Sequence, residues 1–506
     1  MMIQGKKKSL MFVGKMDDYW VKVLAPMQEA GVSLTHVTAT KQYKPYFEMQ
    51  GTTVLDLFDL ENPSFYVNAN KGAKGSLNKD FIEKLYECEN LFLAASDRVA
   101  FFSISMRQRK IIYYDMLLFW KSFFENNKLD CVLFFSSPQN IWDIIIYFVA
   151  KEFGVRTLTL DRTCIDDTLL VFEDYRRIDR VPPDYMQGKS REEHISVLGQ
   201  DFYDKAFKES YWVKFSKDKM RKLAPQKGLR NNAVALLKSV SSCIMVNKFV
   251  VDSAFFFNTF RVRQCWYNLI HLIKGFRDKL LYRYYEKLAQ PARYEEKYIY
   301  FPLQFQPERT SVPLGGVFES QLIVLDMLSK ALPTGWKIFV KEHPRQLKVP
   351  RMSCLHFRDK GYYDRMCAIP SVVLIGLDVD SKELIKHAQL VATISGTGAW
   401  EGMLAGKASL VFGYPSFLGC NNCYPVDSVE SIKDAIKKIQ HKSALDVELD
   451  ILKYLAYYAQ QHKFIESVHS HGFAMRSSKD YHVLAGNLTD AIKARLNGMR
   501  AMADAQ

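Results

Sequence analysis

The chain has 506 residues, 48% of them hydrophobic and 25% charged, with a formal charge of +14 at pH 7. At roughly 100–200 residues per domain this length implies two or three domains, with the balance of a globular protein rather than a disordered or fibrous one. The basic excess calls for an anionic partner. Without a zinc-finger, RNP-like or basic-zipper pattern, the expected partner is a nucleotide, phospholipid or acidic polymer and not nucleic acid. The nine cysteines are scattered, which argues for a reducing compartment and against a disulfide framework. The single pair Cys420 and Cys423 is too few ligands for a zinc site. The lysine-led N-terminus carries only about five apolar residues, too few for a signal peptide. No run of about 20 apolar residues predicts a membrane-spanning helix, so the expectation is a cytoplasmic chain.

Taken in chain order, residues 9–15 (SLMFVGK) predict a buried strand, followed by a helix over 19–30 stopped by Gly31 and a short strand over 33–37. The run 131–137 (CVLFFSS), a helix over 141–153 ending at Gly154 and a β-branched strand over 155–160 form a βαβ unit. Residues 1–200 therefore read as a Rossmann-like domain. Residues 201–296 change to Lys, Arg and aromatic side chains with few glycines, as in Tyr211-Trp212-Val213-Lys214-Phe215, and read as a basic helical insertion. One reading is a bundle packed on the core with solvated lysines. The other is a basic, aromatic surface that rests on an anionic membrane, with Lys279, Arg283 and Lys287 spaced by four along one helical face.

From Tyr298 the alternation becomes regular. Strands are predicted over 298–303, 336–340, 371–375, 390–393 and 409–412, with helices over 317–331, 381–388, 398–405 and 428–439. This rhythm implies a doubly wound parallel sheet over 297–450, and residues 451–506 read as C-terminal helices. The fold class expected is α/β, with two Rossmann-type domains, a helical insertion and C-terminal helices.

In an open parallel sheet ligands bind beyond the carboxyl ends of the strands. The residues there are Gln304, Gln306 and Glu308 after one strand, Lys341-Glu342-His343-Pro344 after the next, and Ser395-Gly396-Thr397-Gly398 after the fourth. A small, hydroxyl-bearing loop that feeds a helix suits a phosphate, although Thr397 also suits a plain helix cap. Its spacing departs from G-x-G-x-x-G, so it is no dinucleotide fingerprint. Glu401, in the first turn of that helix, suits either the helix dipole or ribose hydroxyls. A strand-end His343 can donate to a phosphate or act as an acid, and Pro344 is expected to block helix continuation. Lys341 and Arg345 make its surroundings basic. Asp378-Val379-Asp380 resembles the D-x-D of metal-dependent sugar transferases but sits where it would cap a helix, so no obligatory metal is expected. Asp17 and Asp18, just after the first strand, are candidate catalytic carboxylates or the cap of the following helix.

The segments Phe301–Glu308, Lys341–Pro344 and Ser395–Lys407 resemble the capsule polysaccharide biosynthesis proteins, which include Kdo transferases of the GT-B fold with an HP motif. The resemblance covers roughly residues 298–427. It implies a glycosyltransferase acting on a nucleotide-sugar substrate, with no separate cofactor and a glycan or lipid-linked acceptor. His343 and Pro344 would form the HP motif at the donor phosphate, with Lys341 beside it. Ser395, Gly396 and Thr397 would bind the same phosphate region, and Glu401 the ribose. Gln304 and Glu308 resemble a Q-x-x-x-D loop linked to catalysis, with Glu in place of Asp. A CMP-linked acid sugar such as Kdo is the first donor implied and a UDP-sugar the second. A nucleotide-sugar epimerase of the same architecture and a non-catalytic capsule assembly or export partner are the alternatives. The expected location is the inner face of the cytoplasmic membrane, held peripherally.

Overall fold

The computed structural model describes residues 8–16, 18, 20–21, 23–24, 32–72, 75–98, 105–165, 168–208, 249–250, 262–348, 357–461, 464–466, 486 and 488–490. Two compact units divide the chain. The first holds residues 1–96, 102–178 and 456–506, and the second holds residues 97–101 and 179–455.

In the first unit, β1 (Lys8–Val13), β2 (Val32–Ala39), β3 (Thr53–Asp56), β4 (Cys131–Phe134), β5 (Arg156–Arg162) and β6 (Thr168–Phe172) join one sheet with a short strand, Phe464–Glu466. The order is β3-β2-β1-β4-β5-β6, with Phe464–Glu466 outermost beside β6. Neighbours from β3 to β5 are parallel, and the last two pairings are antiparallel. Leu10, Phe12, Leu133 and Leu158 lie in one apolar cluster with Trp20 and Val37. Helix α1 (Met106–Asn126) starts at a capping box of Ser105 and Gln108, and α2 (Ile141–Glu152) at one of Asn140 and Asp143. Asp143 thus satisfies a helix end, and the ten residues from Ile141 to Ala150 are buried. Among the described residues no helix is long and apolar enough to cross a membrane.

In the second unit, β7 (Tyr298–Pro302), β8 (Lys337–Lys341), β9 (Val372–Ile375), β10 (Leu390–Thr393), β11 (Ser409–Val411) and β12 (Cys423–Pro425) are all parallel, in the order β9-β8-β7-β10-β11-β12. Counted from β7, this is the doubly wound order 3-2-1-4-5-6. The strands are covered on both faces, which is why they read as continuous apolar runs. Ile299, Phe301, Ile338 and Ala392 pack into one cluster, while Tyr298, Tyr300, Phe339 and Val391 pack into the other. Helix α3 (Gln264–Leu288) buries Leu281 and Tyr285 against the first cluster. Helices α4 (Gln321–Ala331), α5 (Ser381–His387), α6 (Gly398–Leu404) and α7 (Val429–Ile439) belong to the same unit. Two Rossmann-type sheets in one chain make the architecture α/β and GT-B-like.

The division of the chain differs from the one read in the sequence. The first unit breaks off at 178 rather than 200 and resumes at 456. Residues beyond it bond within the second unit, where Val181 N–H donates to the Gly419 carbonyl, Arg180 donates to the Cys420 and Cys423 carbonyls, and Arg191 pairs with Glu448. The expected insertion 201–296 is described only in part, and α3 belongs to the second unit. Residues 456–506 group with the first unit.

Candidate functional site

The winding of the second sheet reverses between β7 and β10, and in open sheets of this kind the carboxyl ends at such a reversal are where ligands bind. Close approach is built in there. A Cβ on Gly398 would stand 2.9 Å from Pro302 Cγ, and one on Gly396 would stand 2.9 Å from Thr393 Oγ1. Both positions therefore exclude larger residues.

Gln304, the second residue after β7, is buried. With its carboxamide turned so that both ends are satisfied, Nε2 donates to the Thr310 carbonyl at 2.9 Å, and Oε1 accepts from the Ser395 and Gly396 N–H groups at 2.6 and 2.8 Å. Ser395 Oγ also donates to the Thr310 carbonyl, at 2.5 Å. The loop after β7 is thereby stitched to the loop after β10, and Gln304 and Ser395 spend their polar atoms on that seam. Thr397 takes the N-cap position of α6 without a side-chain bond to the backbone, and it stays partly exposed. Glu401 is partly buried in the first turn of α6, and burial pushes its carboxyl up to about 7 against the opposing pull of Lys382.

His343 follows β8. Its Nδ1 accepts the Arg345 N–H at 3.2 Å, which leaves the proton of the neutral ring on Nε2 as a donor. Burial, and then the charges of Arg345, Arg358 and Lys341, lower its pKa to about 4, so the ring is neutral at pH 7. Pro344 opens a five-residue helix, Pro344–Lys348, rather than preventing one. At the first helical position its missing N–H would have had no intrahelical partner anyway. Lys341 does not point its ammonium at this edge as a free cation. It is buried and donates to the Val379 carbonyl and to Ser381 Oγ, bracing the entry to α5. Asp380 caps α5 through the Lys382 N–H at 2.9 Å, and Ser381 is the first residue of that helix.

Residues 256–420 match the capsule polysaccharide biosynthesis protein family. This capsule-family segment contains the His343, Ser395–Thr397 and Glu401 positions just described. No curated protein matches the sequence. Among solved structures, the β-Kdo 2,7-transferase of Thermosulfurimonas dismutans KpsC is 15% identical, with 74% of this chain and 97% of that chain covered and a TM-score of 0.26. The β-Kdo 2,4-transferase of the same KpsC is 14% identical, covering 65% and 87%, with a TM-score of 0.27. The UDP-GlcNAc 2-epimerase of Methanocaldococcus jannaschii is 12% identical, covering 89% and 99%, with a TM-score of 0.22. Likeness at that level assigns no residue a role.

The remaining sequence candidates fall in different places. Glu308 lies in the capsule-family segment, six residues beyond β7. Its carbonyl accepts from Ser311 and Val312 N–H groups and from Arg98, while its partly exposed carboxylate has no bonded partner among the described residues. Asp18 belongs to the first unit, follows β1 and accepts the Tyr43 hydroxyl at 2.9 Å. Asp17 lies outside the described residues. Among the described residues no group of three His, Cys, Asp or Glu side chains could hold a metal. Cys420 and Cys423 are buried free thiols.

Sequence reasoning missed Arg358 and gave Glu342 no role, though both are almost fully buried beneath His343. Arg358 carries no motif. Only its burial, which a guanidinium tolerates when paired, singles it out.

Proposed function

We propose that this chain is a metal-independent glycosyltransferase of capsule or related surface polysaccharide synthesis, which takes a sugar from a nucleotide donor. A CMP-linked acid sugar such as Kdo is the first choice and a UDP-sugar the second. The observation that carries the reading is the arrangement at the carboxyl edge of the second sheet. There the capsule-family segment presents a neutral His343 with Nε2–H as donor, an uncapped Thr397 hydroxyl and the partly buried Glu401. His343 and Thr397 would hold the donor phosphate and, as it leaves, the charge that develops on it. Glu401, once ionised, would accept ribose hydroxyls. Gln304, Ser395 and Gly396 would set the shape of the phosphate loop, Pro344 the orientation of His343, and Lys341 the position of α5. Glu308 is the candidate base for the acceptor hydroxyl, because its carboxylate is uncommitted. Asp17 and Asp18 are the alternatives, offered by the first unit, which would receive a glycan or lipid-linked acceptor.

The same reading places the chain on the inner face of the cytoplasmic membrane. On α3, Lys279, Arg283 and Lys287 are exposed, together with Phe276 and Leu280 at 62% and 45%. A basic stripe with apolar side chains fits an anionic leaflet.

Incubating the chain with CMP- and UDP-activated sugars and a lipid-linked glycan tests the reading. Nucleotide release coupled to growth of the acceptor supports it. Conversion of a UDP-sugar to its C2 epimer without transfer would establish the epimerase instead.

A further inference from the structure

Among the described residues of the second unit, Arg358 is the most heavily committed charged group, and it is buried beside His343. All five N–H donors of Arg358 are spent. Nε donates to Glu342 Oε2 at 2.6 Å and Nη2 to Glu342 Oε1 at 3.4 Å and to the Gln304 carbonyl at 3.2 Å. Nη1 donates to Gln306 Oε1 and to the Phe357 carbonyl, both at 2.8 Å. The carboxylate of Glu342 is filled in turn: Oε1 accepts the His343 N–H at 2.7 Å and Oε2 the Tyr363 hydroxyl at 2.8 Å. Gln346 adds a second tie, as its Oε1 accepts the Gln306 N–H at 2.8 Å and its Nε2 donates to the Gln306 carbonyl at 2.9 Å. Gln304 and Gln306 belong to the loop after β7, and Glu342, His343 and Gln346 follow or end near β8. One guanidinium therefore joins the two.

A buried ion pair is weak evidence for stability, since apolar residues of the same volume often serve as well. What a fully bonded pair does supply is geometry, because each side chain has a single arrangement that satisfies its partners. We propose that Arg358 is a positioning residue for donor binding, a clasp that fixes the Gln304 loop and His343 relative to each other without touching the donor. This rests on the nucleotide reading above. Gln304 orders the Ser395–Gly396 loop, so the clasp sets the distance between that loop and the His343 ring.

Arg358→Lys tests it, because a lysine keeps a charge for Glu342 but cannot reach all the acceptors at once. CMP and UDP affinities are measured well below the melting temperature, alone and combined with His343→Ala, and amide exchange is followed without nucleotide. The clasp predicts at least tenfold weaker binding by Arg358→Lys. It also predicts that His343→Ala costs tenfold or more in the wild-type background but less than threefold in the Arg358→Lys background. Exchange at the Gln306 and His343 amides should accelerate together. Full affinity in a folded Arg358→Lys chain, a tenfold or greater cost of His343→Ala in both backgrounds, or acceleration of only one amide would overturn the clasp. If Arg358→Lys does not fold, Gln306→Met removes the Nη1 tie to the first loop, along with the Gln306 side-chain bonds to Gln321 and Glu319, leaves Glu342 its charge partner, and carries the same outcomes. A harmless His343→Ala in the wild-type background, with both amides still accelerating in Arg358→Lys, would defeat the nucleotide reading and leave the clasp standing.

Discussion

Glu401→Gln should stabilise the protein and weaken its nucleotide binding. Glu401 has an ordinary value of 4.5 and is pushed up to about 7 by burial. Between these values the folded state binds more protons than the unfolded one, so stability falls as pH rises from about 4.5 through 7. At about 1.4 kcal/mol per pH unit the gap corresponds to about 3 kcal/mol of stability lost above pH 7. Partial exposure of the residue reduces this to roughly 1–3 kcal/mol. Glutamine matches the shape without the charge and should recover that amount at pH 8, raising the melting temperature by roughly 1–2 °C per kcal/mol for a chain of this length. Below pH 4.5 the gain should vanish, because both side chains are then neutral. Binding changes in the opposite direction. If the ionised carboxylate accepts ribose hydroxyls, wild-type affinity climbs from pH 6 to pH 8 and the Glu401→Gln affinity lacks that component. Scanning calorimetry and titration calorimetry at pH 4, 6 and 8 read both effects. An equal change in melting temperature at pH 4 and pH 8, or unaltered affinity at pH 8, would refute the reasoning.

Other outcomes follow from the same geometry. His343→Ala should weaken CMP or UDP binding by about 1.5–3 kcal/mol, the range for a hydrogen bond to a charged group, and unchanged affinity by calorimetry would remove His343 from the site. Its ring, held near 4 against an ordinary 6.5, should remain neutral at pH 5 by NMR; as pH falls from 6.5 toward 4 the unfolded state gains the proton first, so this group's contribution to stability declines. Transfer should survive EDTA, and loss on chelation with recovery on manganese would establish a metal. Replacing Lys279, Arg283 and Lys287 by glutamine should reduce co-sedimentation with anionic vesicles by about 1 kcal/mol per charge, and 0.5 M salt should do the same. Equal pelleting with neutral vesicles would contradict an electrostatic attachment.

Five of the six strands of the second sheet were legible because strands buried on both faces leave unbroken apolar runs, such as Tyr298–Pro302 and Leu390–Thr393, between small or breaking residues; the edge strand β12, three residues of which one is fully buried, was missed. β3 left no such signal: four residues at the sheet edge, none of them fully buried. β6 escaped because it returns antiparallel beside β5, outside the strand-helix-strand rhythm. At the site, His343, Thr397 and Glu401 could be placed from their positions after strands, but the direction of a side chain could not. Lys341 is the last residue of β8, and its ammonium turns to Val379 and Ser381. Gln304 was legible as a loop residue, yet its bond to the Ser395–Gly396 backbone joins positions about 90 residues apart. Arg358 is legible only in three dimensions, since its partners come from residues 304, 306, 342 and 357.

The central claim is transfer from a nucleotide donor held at the carboxyl edge of the second sheet. Its most direct measurement is nucleotide release from CMP-Kdo and from UDP-sugars, with mass spectrometry of a lipid-linked glycan acceptor, for the wild-type chain and for His343→Ala. The account predicts stoichiometric nucleotide release and acceptor growth by the wild-type chain in EDTA, with both lost or sharply reduced in His343→Ala. Acceptor growth that is indifferent to His343, or a wild-type chain that binds neither CMP nor UDP, would contradict it.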